Sequence, residues 1–126
     1  MRAYTVATVA ITLNVPAKWL DNILSHNRVP GVAHGRQGIA RRLTPEAVTV
    51  LEIALKLSRS FAIPAPRALQ IARDLVTQGG ADARFSVESP LALSIDVKSI
   101  EADISRRLAD AVEIAPRPRR GRPPGR

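Results

Sequence analysis

Apolar positions recur at helical spacing in five stretches of the chain, separated by short signals built from Asn, Pro and Gly. Thr5 is placed to cap a first helix over residues 6–13, in which Ala7 and Ala10 let a neighbouring helix approach closely. Asn14-Val15 predicts a tight break. Pro16 suits the first position of a second helix, because the N–H it lacks would have no helical partner there; that helix runs to about His26. Ala17, Leu20 and Leu24 form its apolar stripe, and Lys18, Asp21, Asn22 and Ser25 share the opposite side, with Trp19 and His26 on the flank. Two short helices joined by a tight turn predict a helix-turn-helix with a polar face of groove-reading length.

The periodicity then lapses. Asn27 to Leu43 contains Gly31, Gly35 and Gly38, four Arg (Arg28, Arg36, Arg41, Arg42) and His34. A stretch this rich in glycine predicts a short hairpin or loop, here called the wing. Helical spacing returns with Thr44-Pro45-Glu46, an N-cap hydroxyl, a first-position proline and an acid near the positive end of the dipole. That helix runs to about Ser60, with Val48, Leu51 and Leu55 widened by Val50, Ile53 and Leu57 into a surface broad enough for more than one neighbour. Pro64 and Pro66 interrupt the chain. A further helix, about 66–78, turns Leu69, Ala72, Leu75 and Val76 inward and stops at Gly79-Gly80.

Period two replaces period 3.6 beyond Gly80. Phe85 and Val87 alternate with polar neighbours, Glu88-Ser89-Pro90 turns, and Leu91, Leu93, Ile95 and Val97 alternate again, which predicts a hairpin or a single extended strand. Ile100, Ile104, Leu108 and Ala111 then mark an amphipathic helix. A piece as short as 83–113 cannot bury itself. It packs either on the preceding helices or on a second copy of the chain, and the pairing habit of DNA readers favours a homodimer through this strand and helix.

Charge changes the picture from a plain helical domain to one with a polymer partner. The 126 residues carry 19 Lys plus Arg against 11 Asp plus Glu, a net +8. Residues 1–80 hold ten basic and four acidic side chains, 81–113 four and seven, and 114–126 five and none. No carboxylate occurs between Asn22 and Pro45. Such a distribution favours phosphate, and double-stranded DNA in particular, as the partner. The division predicts a basic module over 1–79, the 83–113 segment, and a basic tail over 114–126.

Composition also removes alternatives. Aromatics are 3% of the chain, so the core is built of Ala, Val, Leu and Ile. With no Cys, disulfides and thiolate metal sites are impossible, and two His do not make a zinc site. There is no phosphate-cradling glycine motif, no nucleophile elbow, and Glu101 and Asp103 sit on different helix faces. No enzyme activity and no cofactor are expected. Met1 to Val15 lacks the pattern of a signal peptide and no apolar run approaches membrane-spanning length, so the expected location is the cytoplasm, on the nucleoid, with no membrane partner.

Taken together, Tyr4-Thr5-Val6-Ala7-Thr8-Val9-Ala10, Asn14-Val15-Pro16-Ala17-Lys18-Trp19-Leu20, Val29-Pro30-Gly31-Val32, a basic wing and Thr44-Pro45-Glu46-Ala47 resemble the MerR-like and excisionase-like winged helix-turn-helix group. The resemblance covers roughly residues 4–76. It implies a winged helix-turn-helix of about four helices with a short basic wing, and with the strand or hairpin, the amphipathic helix and the disordered tail read from the residues beyond it, the expected fold is mainly α. It further implies that the second helix enters the major groove and that the wing lies on the backbone beside it, giving Lys18, Asn22 and Arg41 those roles. Where the group often carries Arg or Tyr on the second helix this chain has Ala17, Asp21 and Asn22, and Ala40 stands where the wing Tyr would be. The group's base preference therefore does not carry over.

The candidate interface accordingly comprises Lys18, Trp19, Asp21, Asn22, Ser25 and His26 on the helix and Arg28, Arg36, Arg41 and Arg42 along the wing. Trp19 is read foremost as a packing residue, Asp21 as an acceptor for a cytosine amino group or an orienter of nearby cations. In the tail, Arg119, Arg120, Gly121 and Arg122, followed by Pro123, resemble an AT-hook, whose Arg-Gly-Arg lies in a narrow A/T minor groove; an unstructured polybasic tail is the alternative. The function expected is a sequence-specific transcriptional regulator. The alternative is an antitoxin-like or phage or plasmid accessory protein whose 83–113 segment binds a protein partner.

Overall fold

Thr5 opens the first helix as its spacing requires: its hydroxyl accepts from the Thr8 N–H at 3.2 Å, and α1 runs Val6–Leu13. The computed structural model describes residues 2–33 and 41–115, and among these the protein is mainly helical, with small antiparallel sheets. Asn14 adopts the left-handed conformation at φ 57° and ends α1, with its own N–H on the Ile11 carbonyl at 3.1 Å and that of Val15 on Ala10 at 3.0 Å. This paired closure is a Schellman turn, and it brings α2, Ala17–His26, in after three residues. Pro16 stands just outside α2 as its N-cap rather than at the first helical position.

Before α1 lies β1, Tyr4–Thr5, which sequence periodicity did not predict because two residues carry no pattern. The wing region contributes β2, Val32–Ala33, and β3, Arg42–Leu43, and the three form an antiparallel sheet in the order β1-β3-β2. Tyr4 and Val32 both lie opposite Leu43, whose side chain is fully buried. Residues 34–40, with His34 and Arg36, and the tail residues Arg119, Arg120, Gly121 and Arg122 lie outside the described residues.

Helix α3, Pro45–Phe61, is the centre of the molecule. Thr44 caps it by accepting from the Ala47 N–H at 3.2 Å. Every residue from Ala47 to Leu55 is buried, because α4, Ala65–Gln78, covers one side and α5, Val97–Ile114, another. Between α4 and α5 the chain makes a hairpin, β4 (Ala83–Glu88) and β5 (Leu91–Ile95), with β4 against α4. The guanidinium of Arg67 on α4 stacks over the Phe85 ring, 5.4 Å from its centre.

The amphipathic stripe of α5 is buried within its own chain. Ile104 and Leu108 join the same apolar cluster as Val9, Leu20, Leu51 and Leu75, and α5 lies against α1 and α3. In α2, Leu20 and Leu24 are buried as expected, but Ala17 is exposed. Ala17 is the first residue of the helix, and half-buried Trp19 and Ile23 complete the inner face with Leu20 and Leu24.

Candidate nucleic-acid interface

Because Leu20 and Leu24 anchor α2 to the core, the opposite side of the helix is fixed outward. Lys18, Asp21, Asn22, Ser25 and His26 are all exposed there, and Pro16, Lys18, Trp19, Asp21, Asn22 and Ser25 line one shallow surface groove. Trp19 turns its ring toward the core: with Ile23, Leu51, Leu55 and Leu69 it lines an apolar crevice between α2, α3 and α4. Trp19 is half-buried against the core and also lines the outer groove.

The backbone of α2 is closed by its own side chains. The Ser25 hydroxyl donates to the Asp21 carbonyl at 2.8 Å, and the Asn27 amide to the Ile23 carbonyl at 2.9 Å. His26 Nδ1 lies 2.8 Å from the Asn22 carbonyl; since a carbonyl only accepts, Nδ1 carries the hydrogen. The imidazole is thereby held along the helix with its other nitrogen directed away from that bond.

Arg41, just before β3, links that strand to α2. Its Nη1 lies 2.9 Å from Asp21 Oδ1 and its Nη2 donates to the Ser25 hydroxyl at 3.0 Å. Strand β3 is thus tied to the outer face of α2 twenty residues earlier, and the charges of Arg41 and Asp21 offset each other. Both side chains retain solvent access, 25% and 53%, so the pair is worth little to stability and more to orientation. Lys18, Arg28 and Arg42 are exposed and form no ion pair among the described residues. They leave cationic side chains on α2, on the segment that follows it and on β3.

The junction between β2, β3 and α3 depends on Gly31. It sits at φ +88°, its carbonyl accepts from the Thr44 N–H at 2.9 Å, and a Cβ there would run into the Thr44 hydroxyl oxygen. That oxygen is the cap of α3, so the β2–β3 pair and the central helix share one junction.

A second tie was not anticipated from sequence. Arg107 of α5 donates from Nη1 to the Thr12 carbonyl, at the end of α1, at 2.9 Å, and from Nη2 to Glu52 Oε2 of α3 at 2.9 Å. Lys56 adds a second cation 3.5 Å from the same carboxylate. Arg107 Nε stands 3.0 Å from Asp103 Oδ2 but lacks the alignment of a hydrogen bond, so that contact is charge attraction alone. One guanidinium therefore fixes the helix that precedes α2 relative to α3 and α5. The signal was Glu52, an acid in the middle of an otherwise apolar run, but nothing local names its partner 55 residues away.

Among the described residues no helix is long and apolar enough to cross a membrane. No protein-family model, no curated protein and no solved structure matches this chain.

Proposed function

We propose that this protein is a sequence-specific, double-stranded-DNA-binding transcriptional regulator of winged helix-turn-helix type, acting on the nucleoid in the cytoplasm as a dimer that reads two half-sites. Helix α2 enters the major groove with Lys18 and Asn22 toward the base edges. The β2–β3 hairpin is the wing, and Arg28 and Arg42 meet phosphates on either side of the helix. Arg41, held by Asp21 and Ser25, sets the angle of the wing and adds to backbone contact. Arg119, Arg120, Gly121 and Arg122 follow the adjoining minor groove, a role that rests on the sequence alone.

The observation that carries this reading is the outer face of α2: polar, exposed, anchored from behind by Leu20 and Leu24, and flanked by cations on neighbouring elements. Selection of binding sites from random duplex DNA at about 150 mM salt tests it. An inverted repeat should be enriched. Asn22→Ala should then relax preference at one position and cost about 1 to 3 kcal/mol on the selected site, whereas Arg42→Ala and Arg41→Ala should weaken all sequences alike. Equal losses on every sequence for all three variants refute the roles; binding that survives only at low salt, with no motif, refutes the function.

A further inference from the structure

The β4–β5 hairpin has one edge partly covered by Gln78 and one open edge. Gln78, the last residue of α4, lays its side-chain amide along β4: Oε1 accepts from the Arg84 N–H at 3.0 Å and Nε2 donates to the Arg84 carbonyl at 2.7 Å. Both backbone groups of Arg84 thus point away from β5, which makes Arg84 and the residue opposite it, Ser94, a non-hydrogen-bonded pair. Alternation puts Ser86 and Ala92 in the same class. The N–H and C=O groups of Ala92 and Ser94 therefore project from the outer edge of β5, and they have no hydrogen-bond partner among the described residues. That edge is unguarded: Leu91-Ala92-Leu93-Ser94-Ile95 contains no charge and no proline.

We propose that β5 pairs antiparallel with β5 of a second copy of this chain, about a two-fold axis at Leu93, so that the two hairpins form one four-stranded sheet across a homodimer. This register is self-complementary. Ala92 faces Ser94 of the second copy and Ser94 faces its Ala92, and all four residues present outward N–H and C=O groups, so each pair exchanges two backbone bonds. The same register places Leu91 against Ile95 of the second copy and Leu93 against its own image. Leu91 is 64% exposed in the single chain, and this pairing gives it an apolar neighbour. The strand itself carries no charge, so no like charges stand directly opposite along it; a carboxylate reaches it through the Ser94 hydroxyl, which donates to Asp82 Oδ1 at 2.7 Å. On the other edge of the hairpin Gln78 already holds both backbone groups of Arg84, so β4 cannot offer a continuous run of free groups as β5 does. The buried stripe of α5 takes no part, since Ile104 and Leu108 already pack inside the chain.

Sedimentation equilibrium of the full chain at tens of micromolar tests the proposal without reference to DNA. The expected species has twice the 13.6 kDa chain mass. Ala92→Pro removes only an outward N–H and leaves the β4–β5 bonds intact; two such donors are lost per dimer, so the dissociation constant should rise about 30-fold. Leu91→Lys, at an exposed position, should give monomer with an unchanged circular dichroism spectrum. A wild-type monomer, a dimer indifferent to both variants, or assemblies that grow beyond two copies each overturn the pairing. Failure here is separable from failure of the DNA reading: a monomer that still selects a DNA site sinks only the β5 pairing, and a β5 dimer without DNA preference sinks only the other.

Discussion

Arg107→Met tests how the helix that leads into α2 is held. The substitution keeps most of the aliphatic volume and removes two hydrogen bonds, one to the Thr12 carbonyl and one to Glu52. Breaking a buried charged pair costs about 3 to 5 kcal/mol when the remaining charge is stranded. Glu52 is 8% exposed, which puts it in that class, but Lys56 stays 3.5 Å away and Arg107 itself is 31% exposed. The expected loss is therefore about 2 to 3 kcal/mol, with the hydrogen bonds to charged groups supplying most of it. In a chain of this size that lowers the midpoint of thermal unfolding by roughly 8 to 12 °C. Denaturant unfolding of Arg107→Met, Glu52→Gln and the double variant closes a thermodynamic cycle. A coupling of about 1 kcal/mol or more is expected, because Glu52→Gln removes the charge that Arg107 leaves behind. Additive losses, or a single variant within about 0.5 kcal/mol of wild type, would refute the account.

Three other expectations follow from local geometry. Gly31→Ala forces a side chain into a left-handed position and against the Thr44 hydroxyl, and should cost about 2 to 3 kcal/mol in denaturant unfolding; a loss below about 0.5 kcal/mol contradicts the close approach. Ala62, which ends α3 at φ 57° without a glycine's freedom, should yield about 0.5 to 1 kcal/mol of added stability as Ala62→Gly, and a loss in chemical unfolding contradicts this. Asp96 caps α5: the Ser99 N–H at 3.0 Å and then the Ser99 hydroxyl hold its carboxyl below the ordinary 3.8, with Lys98 adding a smaller effect in the same direction. A carboxyl depressed in the folded state contributes stability that is complete above its ordinary value and is lost as pH falls through the folded one. Melting temperatures of Asp96→Asn should therefore decline less steeply than wild type through that acid window, while parallel curves would remove Asp96 from the acid response.

The helices were legible in the sequence because their determinants are local. Thr5, Thr44-Pro45-Glu46 and Gly79-Gly80 mark ends that the structure keeps within a residue or two, and the stripes of α3, α4 and α5 repeat often enough to define a face. Leu20 and Leu24 likewise determined which side of α2 turns outward, and with it the exposure of Lys18, Asp21, Asn22 and Ser25. Three things escaped. Strand β1 is too short to carry a period, Ala17 is exposed at the first position of its helix where the spacing placed it inward, and the Arg107–Glu52 tie joins residues whose charges look like ordinary surface in isolation.

By itself, then, the sequence determined the helical elements, the outward face of α2 and the basic character of the region around it, since caps, periodicity and charge act over a few residues. Tertiary structure alone decided that α5 packs on α1 and α3 and that Arg41 is clasped by Asp21 and Ser25. It also set Gln78 against Arg84 on one hairpin edge and left the β5 edge open. These outcomes depend on which atoms meet across the fold. A side chain's partner is set by the packing of whole elements, which no local spacing encodes.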